Sequence, residues 1–181
     1  MYNRKSIKKL KGLSAVQFSE SVRRYILIGM VLLIFAGIIT SKVLAKKQDE
    51  EYSFNDQLYQ QVLQLYSDGS YEEAKVYSSE LLERVPNSEI ANYLGGLIAA
   101  GNNDVFQAAI LLQKTLDINP HKVEDPIFML QFGEVLVSAE RKEDARVVLE
   151  KCRDMGWIPE NYPEYQQRVN ELLTQITAGG Y

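Results

Sequence analysis

One cysteine and one histidine in 181 residues leave little side-chain chemistry to work with. Cys152 is alone, so no intrachain disulfide forms, and the chain suits either a reducing compartment or an exported domain that needs no staples. In its segment Cys152 falls where a small apolar residue is wanted, and plain packing explains it. His121 has no second imidazole to share a metal or a proton with. A phosphate-cradling glycine loop of the Walker type and a nucleophile elbow are both missing from the sequence. Glu72-Glu73, Glu124-Asp125 and Glu143-Asp144 are adjacent acids, which point apart on a helix and read as solvated charge. The expectation is a chain with no enzymatic activity, cofactor, metal or small-molecule substrate.

Acidic residues are scarce in the first 47 positions: Glu20 stands alone against ten Lys/Arg. The balance reverses afterwards, and residues 53–181 carry twenty acids against ten bases. Nucleic acid and anionic lipid would repel such a domain, so nucleic acid is not its expected partner.

Between these regions, Tyr25–Ala45 (YILIGMVLLIFAGIITSKVLA) has no charge before Lys42. About 20 residues at a 1.5 Å rise match a hydrocarbon core of about 30 Å, with Lys42 able to snorkel. The run is apolar on every side and flanked by bases, unlike the helix of a soluble core. Seven basic residues precede it and three follow (Lys42, Lys46, Lys47). The positive-inside rule then places residues 1–24 in the cytoplasm and the acidic domain across the membrane. Cleavage after Ala45 competes with an uncleaved signal anchor, but the long leader and long apolar core favour the anchor. No cysteine follows closely, which excludes lipoprotein processing. Gly37, Ser41 and Ala45 share one helical face and offer a close-approach surface to another span, a spacing also frequent by chance. Ile7, Leu10, Leu13 and Phe18 lie near one stripe in the leader; an interfacial helix and an unstructured topology signal fit equally.

Residues 46–53 (KKQDEEYS) form a short charged linker with neither Pro nor Gly, which allows the membrane helix to continue through it. Ser53, with Asp56 three residues on, has the spacing of a helix N-cap, and the first repeat helix is expected to begin there. From there the chain repeats itself. Ala74 recurs as Ala108 and Pro86 as Pro120, thirty-four residues later; Gly96 recurs as Gly133 and Ala108 as Ala145, thirty-seven later. A fixed period of this length marks an all-α solenoid of helical hairpins, each burying its apolar face on its neighbour. Leu58, Val62, Leu65 and Tyr66 make the first helix's stripe, and Gly69 supplies the positive φ of the turn. Tyr71, Ala74, Leu81 and Leu82 make the second, which Pro86 ends. A last helix over 162–177, with Asn161 and Glu164 spaced as a cap and a stripe at Tyr165, Val169, Leu172, Leu173 and Ile176, covers the exposed end.

The run YSDGSYEEAKVYSSELLERVP and its two echoes resemble the tetratricopeptide repeat (TPR), in tandem copies at 54–88, 89–122 and 126–159. The first copy departs from the family pattern with Gln61-Val62 for Leu-Gly and Ser78 for the aromatic. The second has Asn103-Asp104 at the turn, and the third has Trp157 in place of Pro. The resemblance implies a groove lined by the first helix of each repeat. That assigns Tyr59, Leu63 and Tyr66 from the first copy, Tyr93, Leu94 and Leu97 from the second, and Ile127, Gln131 and Glu134 from the third. The lining is apolar and aromatic, suited to a protein or peptide with an apolar segment, unless these side chains only pack between helices. The basic clamp with which some members hold carboxylate tails is replaced here by Tyr59, Leu63, Leu94 and Gln131.

The expectation is a single-pass adaptor or assembly factor that recruits a partner polypeptide at the outer face of a bacterial inner membrane, in secretion or envelope assembly. A fixed subunit of a membrane complex is the alternative, as is a mitochondrial assembly factor or import receptor.

Overall fold

A computed structural model describes residues 19–178, and these divide into two units, one ending at Glu51 and the other beginning at Tyr52. The amphipathic reading of the leader falls outside the described residues.

The first helix, α1, spans Glu20–Ser67 without a break. Ser53 therefore caps nothing: the charged stretch at 46–53 is helical throughout, as the absence of Pro and Gly allows. In the first unit this is the one helix among the described residues long and apolar enough to cross a membrane, by length and composition. Its large apolar side chains are exposed all round, from Tyr25 and Leu27 to Leu33 and Ile39. Gly37, Ser41 and Ala45 are exposed too, and the Thr40 hydroxyl donates back to the carbonyls of Ala36 and Gly37 at 3.0 Å.

The second unit is a stack of antiparallel hairpins. After the end of α1 come α2 (Tyr71–Arg84), α3 (Glu89–Gly101), α4 (Val105–Ile118), α5 (Pro126–Ser138), α6 (Lys142–Met155) and α7 (Tyr165–Ala178). The three turns inside the hairpins share one conformation. Gly69, Asn103 and Glu140 hold equivalent places with φ of 73°, 60° and 57°, so a left-handed residue reverses the chain each time. Ser88, Asp104 and Asp125 cap α3, α4 and α5 by accepting from backbone N–H groups of the first turn.

The thirty-seven-residue spacing of the last echo has a structural cause. A 3₁₀ turn, Pro120–Glu124, is inserted between α4 and α5, with Pro120 at its start and Asn119 capping His121 N–H. The closing helix begins at Tyr165, later than the expected residue 162. Asn161 and Pro163 sit in turns that precede it, closed by Tyr162 N–H to Pro159 O at 3.0 Å and Tyr165 N–H to Tyr162 O at 3.2 Å. Its stripe packs as anticipated, with Tyr165, Val169, Leu172 and Ile176 buried and Leu173 half-buried.

Ala74, Ala108 and Ala145 are all fully buried, so the small residue marks the helix crossing in every hairpin. One continuous core runs from Ala99 to Ile176, through Phe128, Phe132 and Leu149. Cys152 and Tyr165 lie inside it, and burial pushes both their pKa values up, keeping thiol and phenol protonated. Toward the other end the core divides into two smaller clusters, one around Val62, Ala74, Leu94 and Ile98, the other around Leu58, Leu81 and Ala91.

Candidate functional site

The first helices of successive hairpins lie side by side, and polar contacts link them across repeats. The Tyr93 hydroxyl on α3 donates to Gln131 Oε1 on α5 at 2.5 Å, and its ring meets Phe128 edge-on at 5.5 Å between centroids. Arg168 Nε on α7 donates to Glu134 Oε1 on α5 at 2.7 Å. Four of the expected face residues come together this way or sit beside those that do: Tyr93, Ile127, Gln131 and Glu134 are all half-buried. Burial, then the nearby Asp125 carboxylate, push the Tyr93 hydroxyl up to about 12, so it remains a donor at physiological pH.

The inserted 3₁₀ turn supplies an element that repeat periodicity does not contain. Lys122 Nζ lies 3.0 Å from Asp125 and 3.4 Å from Glu89, and 5.2 Å from the centre of the Tyr93 ring. Asn119 donates to the other Glu89 oxygen at 2.8 Å. Burial opposes the Lys122 charge, but Asp125 and Glu89 outweigh it and hold the ammonium above its ordinary range. The turn thus ties the start of α3 to the start of α5 and fixes Tyr93 from behind.

On α1, Tyr59 and Tyr66 are half-buried and Leu63 is 39% exposed. The Tyr66 ring sits 5.8 Å from that of Tyr71, and burial together with Tyr71 raises its pKa. Leu97, on α3, is half-buried. Leu94 does not belong to the face. It is 6% exposed and packs with Val62, Ala74 and Ile98. The reason is angular: Tyr93 and Leu97 are one helical turn apart and share a face, whereas Leu94 is rotated about 100° toward the first hairpin with Ile98.

Next to Tyr59 the face opens into a cavity of about 330 Å³. Tyr52, Asn55, Asp56 and Tyr59 of α1 form one wall, and Leu81 and Val85 at the end of α2 form another. Ser88, Ile90 and Ala91 at the start of α3 complete it. Sequence reasoning left all three of Tyr52, Asn55 and Asp56 out of the site: it assigned Tyr52 to the linker ending at Ser53, and Asn55 and Asp56 to the first turn of a helix starting there, whereas α1 runs through them unbroken. The signal was there: Tyr52, Asp56, Tyr59, Leu63 and Tyr66 recur at steps of four and three, one helical stripe.

Among the described residues no group of three or more His, Cys, Asp or Glu is placed to hold a metal ion.

No known protein family and no curated protein matches this sequence. Solved structures do match its fold. The Yersinia enterocolitica type III secretion translocator chaperone SycD, in complex with a peptide of the translocator YopD, aligns with a TM-score of 0.57 at 17% identity, covering 70% of this chain and 94% of that one. PcrH in complex with the chaperone-binding region of PopD gives 0.56 at 15%, covering 70% and 92%. The TPR2B domain of yeast Sti1, in its pHsp70 complex, gives 0.55 at 11%, covering 69% and 97%. The chain is similar to these in architecture, which establishes an all-helical, TPR-like fold.

Proposed function

We infer that the chain is a membrane-anchored TPR-like module that holds a partner polypeptide, by an apolar segment, on the face formed by α1, α3, α5 and α7. The observation that carries this reading is the continuous half-exposed lining, Tyr59, Leu63 and Tyr66 through Tyr93 and Leu97 to Ile127. Aromatic and aliphatic side chains offer contact area there at low conformational cost, with Gln131 and Glu134 as polar markers. The SycD and PcrH complexes, in which a similar fold carries a peptide, support it. Solvent exposure of every large apolar side chain from Tyr25 to Ile39 supports a bilayer as the natural surroundings of that helix, because such a surface is costly in water. With the basic leader inside, the repeats face outward at a bacterial inner membrane, where secretion or envelope assembly offers substrates. Tethering raises the local concentration of face and ligand, so modest intrinsic affinity suffices.

The test joins topology to contact. A reporter fused after residue 48 should be reached by protease from the outer side, and a photoreactive residue at Leu63 should crosslink a polypeptide in intact membranes. A reporter protected from outside would reverse the orientation, and crosslinks to lipid alone would remove the binding role.

A second reading, a fixed subunit of a membrane complex, draws on the opposite faces of the hairpins. Val76, Ile110 and Val147 hold equivalent positions on α2, α4 and α6 and are 68%, 58% and 70% exposed. Mild detergent extraction separates the two: a fixed subunit leaves the membrane with stoichiometric partners, a recruiter mostly alone.

A further inference from the structure

We propose that the cavity between α1, α2 and α3 receives a lysine or arginine side chain of the bound polypeptide. The proposal rests on the reading of this face as a polypeptide-binding surface and names the chemistry of its ligand.

The cavity's polar lining is rich in acceptors. The side-chain oxygen of Asn55 is buried with no hydrogen-bond partner, although a buried acceptor left unpaired costs about 1–3 kcal/mol. The Asp56 carboxylate lines the same cavity and makes no ion pair among the described residues. Ser88 accepts from Ala91 N–H at 3.3 Å, its capping task. No lysine or arginine is among the lining residues. The nearest strong cation on the adjoining helix is committed elsewhere: Arg84 lies 4.2 Å above the Phe54 ring and 3.0 Å from Glu80.

The remaining walls suit the rest of a basic side chain. Leu81, Val85 and Ala91 offer an apolar bed for an aliphatic stem, as long charged side chains require. Tyr52 and Tyr59 add aromatic lining, which attracts cations more strongly when removed from water. An apolar anchor would fill the volume but leave Asn55 Oδ1 unsatisfied and bury part of Asp56 without compensation. An acidic anchor would meet like charge. The excess of acids over bases across residues 53–181 favours a cationic ligand at long range as well.

Selection from a random-peptide display library on the full chain in lipid nanodiscs tests this. The native protein should enrich peptides that carry a Lys or Arg beside apolar residues. Asp56→Lys should lower affinity for an enriched peptide about tenfold or more and, used as the target, should shift selection toward Asp or Glu at that position. Asn55→Leu should reduce the preference for the basic residue and melt somewhat higher, because it removes the unpaired buried acceptor; circular dichroism of both variants checks that each keeps its helical content. Enrichment of purely apolar peptides, unaffected by Asp56→Lys, would overturn the proposal and leave the polypeptide-binding face standing. Absence of any enrichment, by native protein and variants alike, would overturn the binding face and the proposal with it.

Discussion

The first hairpin and its two successors solve the same helix crossing with opposite distributions of bulk. In the second and third, glycine on the first helix faces leucine on the second. A Cβ added to Gly96 would lie 2.8 Å from Leu112 Cδ2, and one added to Gly133 would lie 2.6 Å from Leu149 Cδ2. One period upstream, Val62 stands in the glycine's place and Ser78 in the leucine's, and both are buried. The large residue has changed sides. What is repeated along this chain is filled volume, and side-chain identity is free to vary as long as the two positions compensate.

The largest break in that comparison comes from adding bulk where glycine admits the leucine. Gly133→Val should cost about 3 kcal/mol, since Leu149 is fully buried and has nowhere to turn; calorimetry of the full chain in detergent would measure it. A smaller loss, about 2 kcal/mol, is expected for Ser78→Leu, which introduces the leucine of the later hairpins while Val62 remains. Val62→Gly in the same chain should recover at least about 0.5 kcal/mol relative to the sum of the singles, the coupling expected of residues that share a space. Strict additivity in denaturant titrations would mean that the two positions do not compensate.

The turns allow a gentler test. Gly69, Asn103 and Glu140 share one left-handed conformation, which suits glycine, tolerates asparagine and strains glutamate. Glu140→Gly should raise stability by up to about 1 kcal/mol, and Gly69→Ala should lower it by about 1 kcal/mol, both read from thermal melting.

The smallest effect concerns pH. An unfolded tyrosine ionises near its ordinary value of 10, whereas folded Tyr93 holds its proton to about 12. Between those values the unfolded chain has lost the proton and the folded one keeps it, so stability falls as pH rises through that window and is unaffected below it. Tyr93→Phe should flatten that part of the pH–stability curve; an unchanged slope would assign it to other groups.

Hairpin order and the small crossing residues could be read from the sequence because they recur at a fixed period, and the Gly69 turn because it rests on a local run of turn formers. Leu94 was misplaced because a stripe two residues wide cannot tell groove from core without knowing which hairpin packs behind it. The Lys122 clasp was invisible for a different reason. It depends on the extra residues between repeats, which periodicity registers only as an offset, and on Glu89, a third of a hundred residues upstream in the chain and adjacent only after folding. Tyr52 reads as linker, and Asn55 and Asp56 as a first helical turn, only if a helix starts at Ser53; in the unbroken α1 the three wall one cavity with residues of α2 and α3.

The ties between helices join near neighbours in the chain: Tyr93 and Gln131 are 38 residues apart, and Arg168 and Glu134 are 34 apart. A domain closed by such short loops folds quickly and can do so in the order in which it is synthesised. The cavity beside Tyr59 is walled entirely by residues from Tyr52 to Ala91, so its lining is complete once α3 has formed, while α4 and the helices after it are still being made. Nascent chains stalled at increasing lengths would show that end of the molecule acquiring protease resistance first.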